Sequence, residues 1–352
     1  MRSLRIAQFH GTLPEPDRKV GGVEVFVHRL ANRLVDRGHE VTMFTFTARP
    51  DDAKYELVSA GPSWFGLKPA ARLTLAPLAL NRLPQDGFDV LHLNGDDWFL
   101  ARRKIPTVRT LYGSALFEAR AATNLKRRIA QTMVYPLEVV ASRLATLSFD
   151  IGSALPAGYR THGSLPLAVT DPSPLEHVVP TVHPSVLFVG TWEGRKRGAF
   201  LAARFAEQVL PRHPQAELIM VSDHCEERSG VRWVRFPSDE EMSRLYRSAW
   251  LFCAPSTYEG FGMPYLEAMT HGLPVVATPN PGARLVLRGG AGVLVPDDDL
   301  ARTLSALLED ERSRARLATS GRARAKDFSW ERVLSEYENA YQRAIEVFEL
   351  RK

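Results

Sequence analysis

Two carboxylates, Glu259 and Glu267, bracket the stretch Glu259-Gly-Phe-Gly-Met-Pro-Tyr-Leu-Glu267. Pro264 suits the first residue of a helix, because its fixed φ fits there and its missing N–H has no partner to lose. The pattern predicts a helix over Tyr265–His271, with Gly272 ending it. Gly260, Phe261 and Gly262 then form a loop feeding a helix N-terminus, where free N–H groups and the helix dipole attract anions. Glu267 is expected in the first helical turn and Glu259 at the mouth of the loop. Carboxylates beside an anion-seeking helix end are suited to accept hydroxyl donors. The matching ligand carries both phosphate and polyol, as a sugar nucleotide does. The spacing alone also fits an ordinary turn with two solvated or capping charges.

The longer string Pro255-Ser-Thr-Tyr-Glu-Gly-Phe-Gly-Met-Pro-Tyr-Leu-Glu-Ala-Met-Thr-His-Gly-Leu-Pro-Val-Val-Ala-Thr278 resembles the donor-site signature of family-4 retaining glycosyltransferases of the GT-B type. A second string, Gly21-Gly-Val-Glu-Val-Phe26 through Arg37-Gly-His-Glu-Val-Thr42, resembles the N-terminal signature of the same family. Read by itself, Gly21-Gly22 opens a helix whose apolar positions Val23, Phe26, Val27, Leu30 and Leu34 follow helical spacing. Paired glycines there permit a phosphate to approach the backbone, or serve as a plain helix cap. No dinucleotide fingerprint is present.

The chain also departs from the family. Members usually carry His-x-His after a strand of the first domain; here the run is His92-Leu-Asn94, and the next strand ends in Tyr112-Gly113 instead of His-Gly. Asn94 therefore stands where the resemblance implies a catalytic histidine, and no general base can be named. Ends of parallel strands face the ligand crevice, which makes His92, Asn94, Asp96 and Asp97 candidates. In the second half, Thr191 occupies the place of the family's arginine and Arg197-Gly198 that of its Lys-Gly. Arg195, Lys196 and Arg197 lie close enough to supply the charge that neutralises a diphosphate. The resemblance places base-binding backbone near Arg235-Phe236.

At 352 residues the chain suits two domains. Its hydrophobic content of 45% and charged content of 24% are those of an ordinary globular protein. Cys225 and Cys253 make no disulfide framework and read as incidental thiols in a reducing compartment. The N-terminus runs straight into a strand, without a signal-peptide h-region, and no apolar run approaches a membrane span; this predicts a cytoplasmic protein. The net charge is +5, and Arg102, Arg103, Lys104, Arg109, Arg120, Lys126, Arg127 and Arg128 face the single acid Glu118 across 101–128. That stretch is either a solvated basic surface or a peripheral contact for the inner membrane face and a lipid-linked or anionic acceptor.

Strands alternate with helices in both halves, which predicts an α/β chain of two doubly wound Rossmann-like domains facing a cleft. The expected boundaries are 1–170 for the acceptor side, 171–330 for nucleotide-sugar binding, and 331–352 for a helix. The resemblance implies that this helix crosses back to the first domain, and Val333, Tyr337, Tyr341 and Ile345 would suit that packing. Residues 50–85 read as irregular, with Trp64 and Phe65 as packing anchors, and 150–184 as a linker. A single helical stretch is expected over 299–328.

The resemblance implies a transferase that moves a sugar from a UDP- or GDP-linked donor to an acceptor hydroxyl with retention. Glu267 would take the ribose hydroxyls and Glu259 those of the donor sugar; Arg195, Lys196, Arg197, Gly21 and Gly22 would stabilise the diphosphate. No metal or cofactor is expected beyond the sugar nucleotide itself as co-substrate. A sugar-nucleotide epimerase and a silent sugar-nucleotide binder are the alternatives. Nucleic-acid binding is disfavoured, because the basic stretch lacks interleaved aromatics.

Overall fold

The computed structural model describes residues 2–15, 21–61, 74, 77–122, 124–152, 154–169 and 180–351. Trp64 and Phe65 lie outside them. The chain forms two compact units, one of Met1–Ala119, Ile129–Leu167 and Glu331–Lys352, the other of Arg120–Arg128 and Ala168–Trp330.

The first unit is built on a six-stranded parallel sheet of β1 (Arg5–Phe9), β2 (Glu40–Thr45), β3 (Glu56–Ser59), β4 (Val90–Leu93), β5 (Thr107–Leu111) and β6 (Leu147–Asp150). Their order is β3-β2-β1-β4-β5-β6. Central strands of a parallel sheet are covered on both faces, so they read as continuous buried runs. Accordingly every residue of β4 and β5 is buried, including His92 and Arg109. Helix α1 (Gly22–Asp36) buries Phe26, Val27, Leu30, Ala31 and Leu34 on one face. It ends at Gly38, whose φ of +90° reverses the chain into β2.

Two strands depart from the expectations. β3 lies inside the stretch read as irregular, and β6 runs into the start of the stretch read as a linker. Both are four residues long and lack an alternating pattern, so periodicity does not reveal them. Helix α2 (Ala115–Ala121) and helix α3 (Leu125–Leu144) precede β6, and α3 runs through Pro136.

The second unit repeats the plan with β7 (Ser185–Val189), β8 (Glu217–Val221), β9 (Val231–Val234), β10 (Leu251–Ala254), β11 (Val275–Ala277) and β12 (Val293–Leu294). Their order is β12-β11-β10-β7-β8-β9, all parallel. Helix α4 (Gly198–Arg204) extends through one π-helical turn over Phe205–Val209. Phe188, Leu201, Phe205, Val209, Leu218 and Leu304 meet in this unit's core. Helix α5 (Asp239–Ser248) is capped by Ser238 in a reciprocal box with Glu241. Helices α6 (Met263–Thr270) and α7 (Pro281–Val286) follow β10 and β11. The stretch expected as one helix over 299–328 is two, α8 (Leu300–Glu309) and α9 (Glu311–Ala325). Asp310 separates them, because its side chain accepts a bond from Ser313 N (2.9 Å) and caps the second.

The last helix, α10 (Trp330–Glu349), packs within the first unit. Val333, Tyr337 and Tyr341 are fully buried. The docking also uses polar contacts: Glu338 meets His39 at 3.0 Å and Tyr341 Oη meets His92 Nδ1 at 2.9 Å. His92 is neutral there, since burial pushes it down to about 3.

Candidate active site

In an open parallel sheet, ligands gather at the carboxyl ends of the strands where the strand order reverses. In the second unit that point lies between β7 and β10. The segment after β7 carries Arg195 and Lys196, and the segment after β10 carries Glu259. They meet. Arg195 Nη1 donates to Glu259 Oε2 at 2.9 Å and to the Tyr258 carbonyl at 2.9 Å, while Lys196 Nζ lies 2.5 Å from Glu259 Oε1. A backbone bond from Thr257 N to the Arg195 carbonyl (2.9 Å) ties the two segments together.

Glu259 is buried, and burial alone would raise its carboxyl. Lys196 and Arg195 outweigh that and hold it below the usual carboxylate range. It is therefore an anion at neutral pH, matched by two cations, of which Arg195 remains about a third exposed. The group carries one net positive charge at a strand-end switch point, an arrangement suited to an anion that can share the cations with Glu259.

The loop after Glu259 is held from two sides. Gly262 has a φ of +97° and caps α6, and the ring of Tyr265 fills the space a β-carbon would need. Gly282 in α7 donates its N–H to the Glu259 carbonyl at 3.0 Å. A β-carbon at 282 would fall 2.6 Å from the Phe261 carbonyl oxygen. The backbone N–H groups of Gly260, Phe261 and Gly262 donate to no other described residue. They can serve a ligand.

Pro264 is the second helical residue, since α6 begins at Met263. Glu267 is thereby in the second turn, not the first as expected from the sequence. It is half-buried, and its Oε2 accepts from Tyr246 Oη at 2.9 Å. Tyr246 also stacks on His271, with ring centroids 5.1 Å apart.

The remaining expected residues lie elsewhere. Arg197 sits in the left-handed region (φ +61°) and forms a forked pair with Asp297, at 3.0 and 2.6 Å, away from the Glu259 group. Phe236, with φ +51° and 76% exposed, follows the edge strand β9, two strands from the switch point. In the first unit, Gly21 is the N-cap of α1; a β-carbon at Gly22 would meet nothing within 4 Å, so backbone there is open.

Asn94 is 1% exposed, with its amide used at both ends. Nδ2 donates to the Phe9 carbonyl at 3.2 Å, and Oδ1 accepts from Tyr112 Oη at 2.6 Å. The pair that departs from the family at 94 and 112 is thus one hydrogen-bonded unit. Two of the cations read as a surface stretch turn inward. Arg109 Nε meets Asp97 Oδ1 at 2.7 Å and Arg103 meets Asp97 Oδ2 at 3.4 Å. Arg102, Lys104, Arg120, Lys126, Arg127 and Arg128 stay exposed. The residues that sequence reasoning passed over are Tyr246, Gly282 and Asp297, whose roles depend on partners 15 or more positions away in the chain.

Comparison with known proteins agrees with this architecture. Residues 183–310 match the family model described as glycosyl transferases group 1, and residues 20–150 match that of glycosyltransferase family 4. The chain is 27% identical to the phosphatidyl-myo-inositol mannosyltransferase of Mycolicibacterium smegmatis, over 92% of this chain and 90% of that protein. It is 34% identical to O-antigen chain mannosyltransferase B of Escherichia coli over 44% of this chain and 45% of the other. Among solved structures it is similar to sucrose-phosphate synthase from Thermosynechococcus elongatus (TM-score 0.75, 21% identity, 97% of this chain and 99% of that one). It is also similar to WaaG, a glycosyltransferase involved in lipopolysaccharide biosynthesis (TM-score 0.70, 18% identity, 96% and 99%). With both halves matched in sequence and the two parallel-sheet units matched in fold, the chain belongs to the family-4 glycosyltransferases of the GT-B fold.

Proposed function

We propose that the chain transfers a hexosyl group from a UDP- or GDP-linked sugar to an acceptor hydroxyl with retention at the anomeric carbon. The observation that carries the reading is the convergence of Arg195 and Lys196 on Glu259 at the switch point of the second unit. In this reading the two cations hold the diphosphate and stabilise the charge that develops as it leaves. Glu259 and the free N–H groups of the 260–262 loop take the donor sugar's hydroxyls, and Glu267 takes the ribose. Arg197 is committed to Asp297. Phe236 offers its exposed ring and positive-φ backbone to the base.

Retention follows if the acceptor attacks the face that the diphosphate leaves, and the leaving phosphate oxygen takes the acceptor's proton. That route needs no residue to replace a histidine at 94, where Asn94 has become structural. The cations supply the charge that a metal otherwise would, so turnover is expected to survive chelation. The relatives include a phosphatidyl-myo-inositol mannosyltransferase and an O-antigen chain mannosyltransferase, and a protein of similar fold is known in complex with UDP and glucose. These favour a lipid-linked or oligosaccharide acceptor and a nucleotide-sugar donor.

A specific surface supports the lipid side of this reading. Leu125, Ile129, Met133, Val140 and Leu144 of α3 are all exposed by half or more. At about 100° per residue they fall within a stripe about 100° wide. Lys126, Arg127 and Arg128 lie at the start of the same helix, a pattern suited to lying on an anionic bilayer as a peripheral protein. Among the described residues no helix is long and apolar enough to cross a membrane.

The test of the reaction is transfer from UDP-glucose or GDP-mannose to phosphatidylinositol vesicles or methyl α-mannoside, with product configuration read by NMR and EDTA present or absent. An α-linked product formed in EDTA supports the proposal. An inverted product, or free isomerised sugar nucleotide without acceptor, contradicts it. For the membrane contact, flotation with phosphatidylglycerol vesicles at low salt should carry the protein up, and Ile129→Asp/Met133→Asp should leave it at the bottom.

A further inference from the structure

The first unit has its own switch point, between β1 and β4. His10 follows β1 directly, and Asp96 lies three residues beyond β4. His10 Nδ1 is 2.8 Å from the Asn94 carbonyl oxygen. A carbonyl only accepts, so Nδ1 carries the hydrogen and the neutral ring presents its lone pair at Nε2. That nitrogen has no hydrogen-bond partner among the described residues. Glu24, in the first turn of α1, and the neutral His92 are the titratable groups that act on the ring. Burial lowers the imidazole below its ordinary value, and the opposing pull of Glu24 and the Asn94 carbonyl does not offset it. The lone pair is therefore available at neutral pH.

Asp96 belongs to the segment after β4. Its backbone is left-handed (φ +53°), next to Gly95 at +109°, a conformation that costs a non-glycine residue energy and recurs at functional sites. Its carboxyl forms no hydrogen bond or ion pair with another described residue. Burial, then the neighbouring Asp97, push it up to about 7. The side-chain amide of Asn94 is already bonded to the Phe9 carbonyl and to Tyr112.

We propose that His10, through Nε2, accepts the hydrogen bond of the attacking hydroxyl and orients its oxygen, a role that the committed side chain of Asn94 does not supply. The proposal rests on the transferase reading above. The hydroxyl's single proton points to Nε2 while the acceptor is held. As the oxygen forms the bond to the anomeric carbon and the bond to the diphosphate oxygen breaks, that proton changes partner and leaves on the phosphate oxygen, so His10 ends neutral as it began.

Two measurements on the full chain test this. Nitrogen-15 NMR of the imidazoles, assigned with His10→Gln, should show His10 protonated at Nδ1 and bare at Nε2 at pH 7. An imidazolium or an Nε2–H form would overturn the proposal whatever the substrate. Kinetically, with the donor and acceptor that turn over among UDP-glucose, GDP-mannose, phosphatidylinositol vesicles and methyl α-mannoside, His10→Ala should lower acceptor kcat/KM by about 10- to 100-fold. Affinity for GDP or UDP should stay within about twofold, since no diphosphate contact is lost. Protonation of Nε2 removes the acceptor, so wild-type kcat/KM should fall as pH drops through the lowered His10 pKa. His10→Gln, whose amide oxygen accepts the same bond, should recover part of the rate and lose that acid limb. Wild-type rates in His10→Ala, or an acid limb unchanged in His10→Gln, would overturn the proposal. Absence of both nucleotide binding and turnover in the wild type would instead sink the transferase reading, with the NMR result still deciding the state of His10.

Discussion

Lys196 Nζ and Glu259 Oε1 lie 2.5 Å apart, with Arg195 on the other carboxylate oxygen. Glu259 thus does two jobs. It balances two cations in the folded protein, and it competes with any anion that would use them. Substituting Glu259→Gln is expected to separate these roles. Free GDP or UDP should bind as tightly as to wild type or more so, while turnover falls about 100-fold or more because the donor sugar loses its acceptor. Calorimetry against GDP and UDP, paired with initial rates, checks the opposite signs.

The same pair has a pH signature. The folded carboxyl of Glu259 is lowered relative to the unfolded chain, so its contribution to stability is present above the unfolded value near 4.5 and is lost as pH falls through the folded value. The melting-temperature gap between wild type and Glu259→Gln should therefore be wide at pH 7 and shrink on acidification below about pH 4. A gap independent of pH would show that the ion pairs contribute nothing.

Gly282→Ala probes the support of the loop. The added carbon would meet the Phe261 carbonyl oxygen at 2.6 Å and Glu259 Cβ at 2.9 Å, backbone and stem rather than a flexible tip. The loop must move. We expect about 1–3 kcal/mol of destabilisation in denaturant melts, and a loss of turnover larger than that of folded protein.

Tyr341→Phe tests how α10 is docked. It removes the hydroxyl partner of a buried His92 nitrogen and should cost about 1–3 kcal/mol by urea unfolding. Donor affinity should be unchanged, because Tyr341 belongs to the first unit.

Much of the donor half is legible in the sequence, for a physical reason. Glycines with positive φ, a proline in the first turn and carboxylates at fixed spacing leave little conformational choice. Gly262 and Pro264 accordingly fix the start of α6 to within two residues. What chain order hides is pairing at a distance. That Arg197 turns to Asp297, and Arg109 and Arg103 turn inward to Asp97, depends on the fold closing loops between them. His10 is a lone histidine after a short strand, and nothing adjacent marks it; only the Asn94 carbonyl brought beside it gives the ring a defined tautomer. The strands β3 and β6 are missed because four residues, mostly exposed in β3 and mostly buried in β6, are too few to carry a period.

Glu267→Ala addresses the second carboxylate. Losing one set of hydrogen bonds to the ribose should weaken GDP or UDP binding about 10- to 100-fold. Tyr246→Phe, which removes only the partner at 2.9 Å, should have a smaller effect.

The central claim, that the second unit holds a nucleoside diphosphate through Arg195 and Lys196, is tested most directly by thermal shift with GDP and UDP in EDTA, comparing wild type with Lys196→Ala. Saturation at a hundredfold over Kd adds about 2.7 kcal/mol of stability. The account predicts a clear upward shift for one nucleotide in wild type that collapses in Lys196→Ala. No shift with either nucleotide, or an equal shift in both proteins, would contradict it.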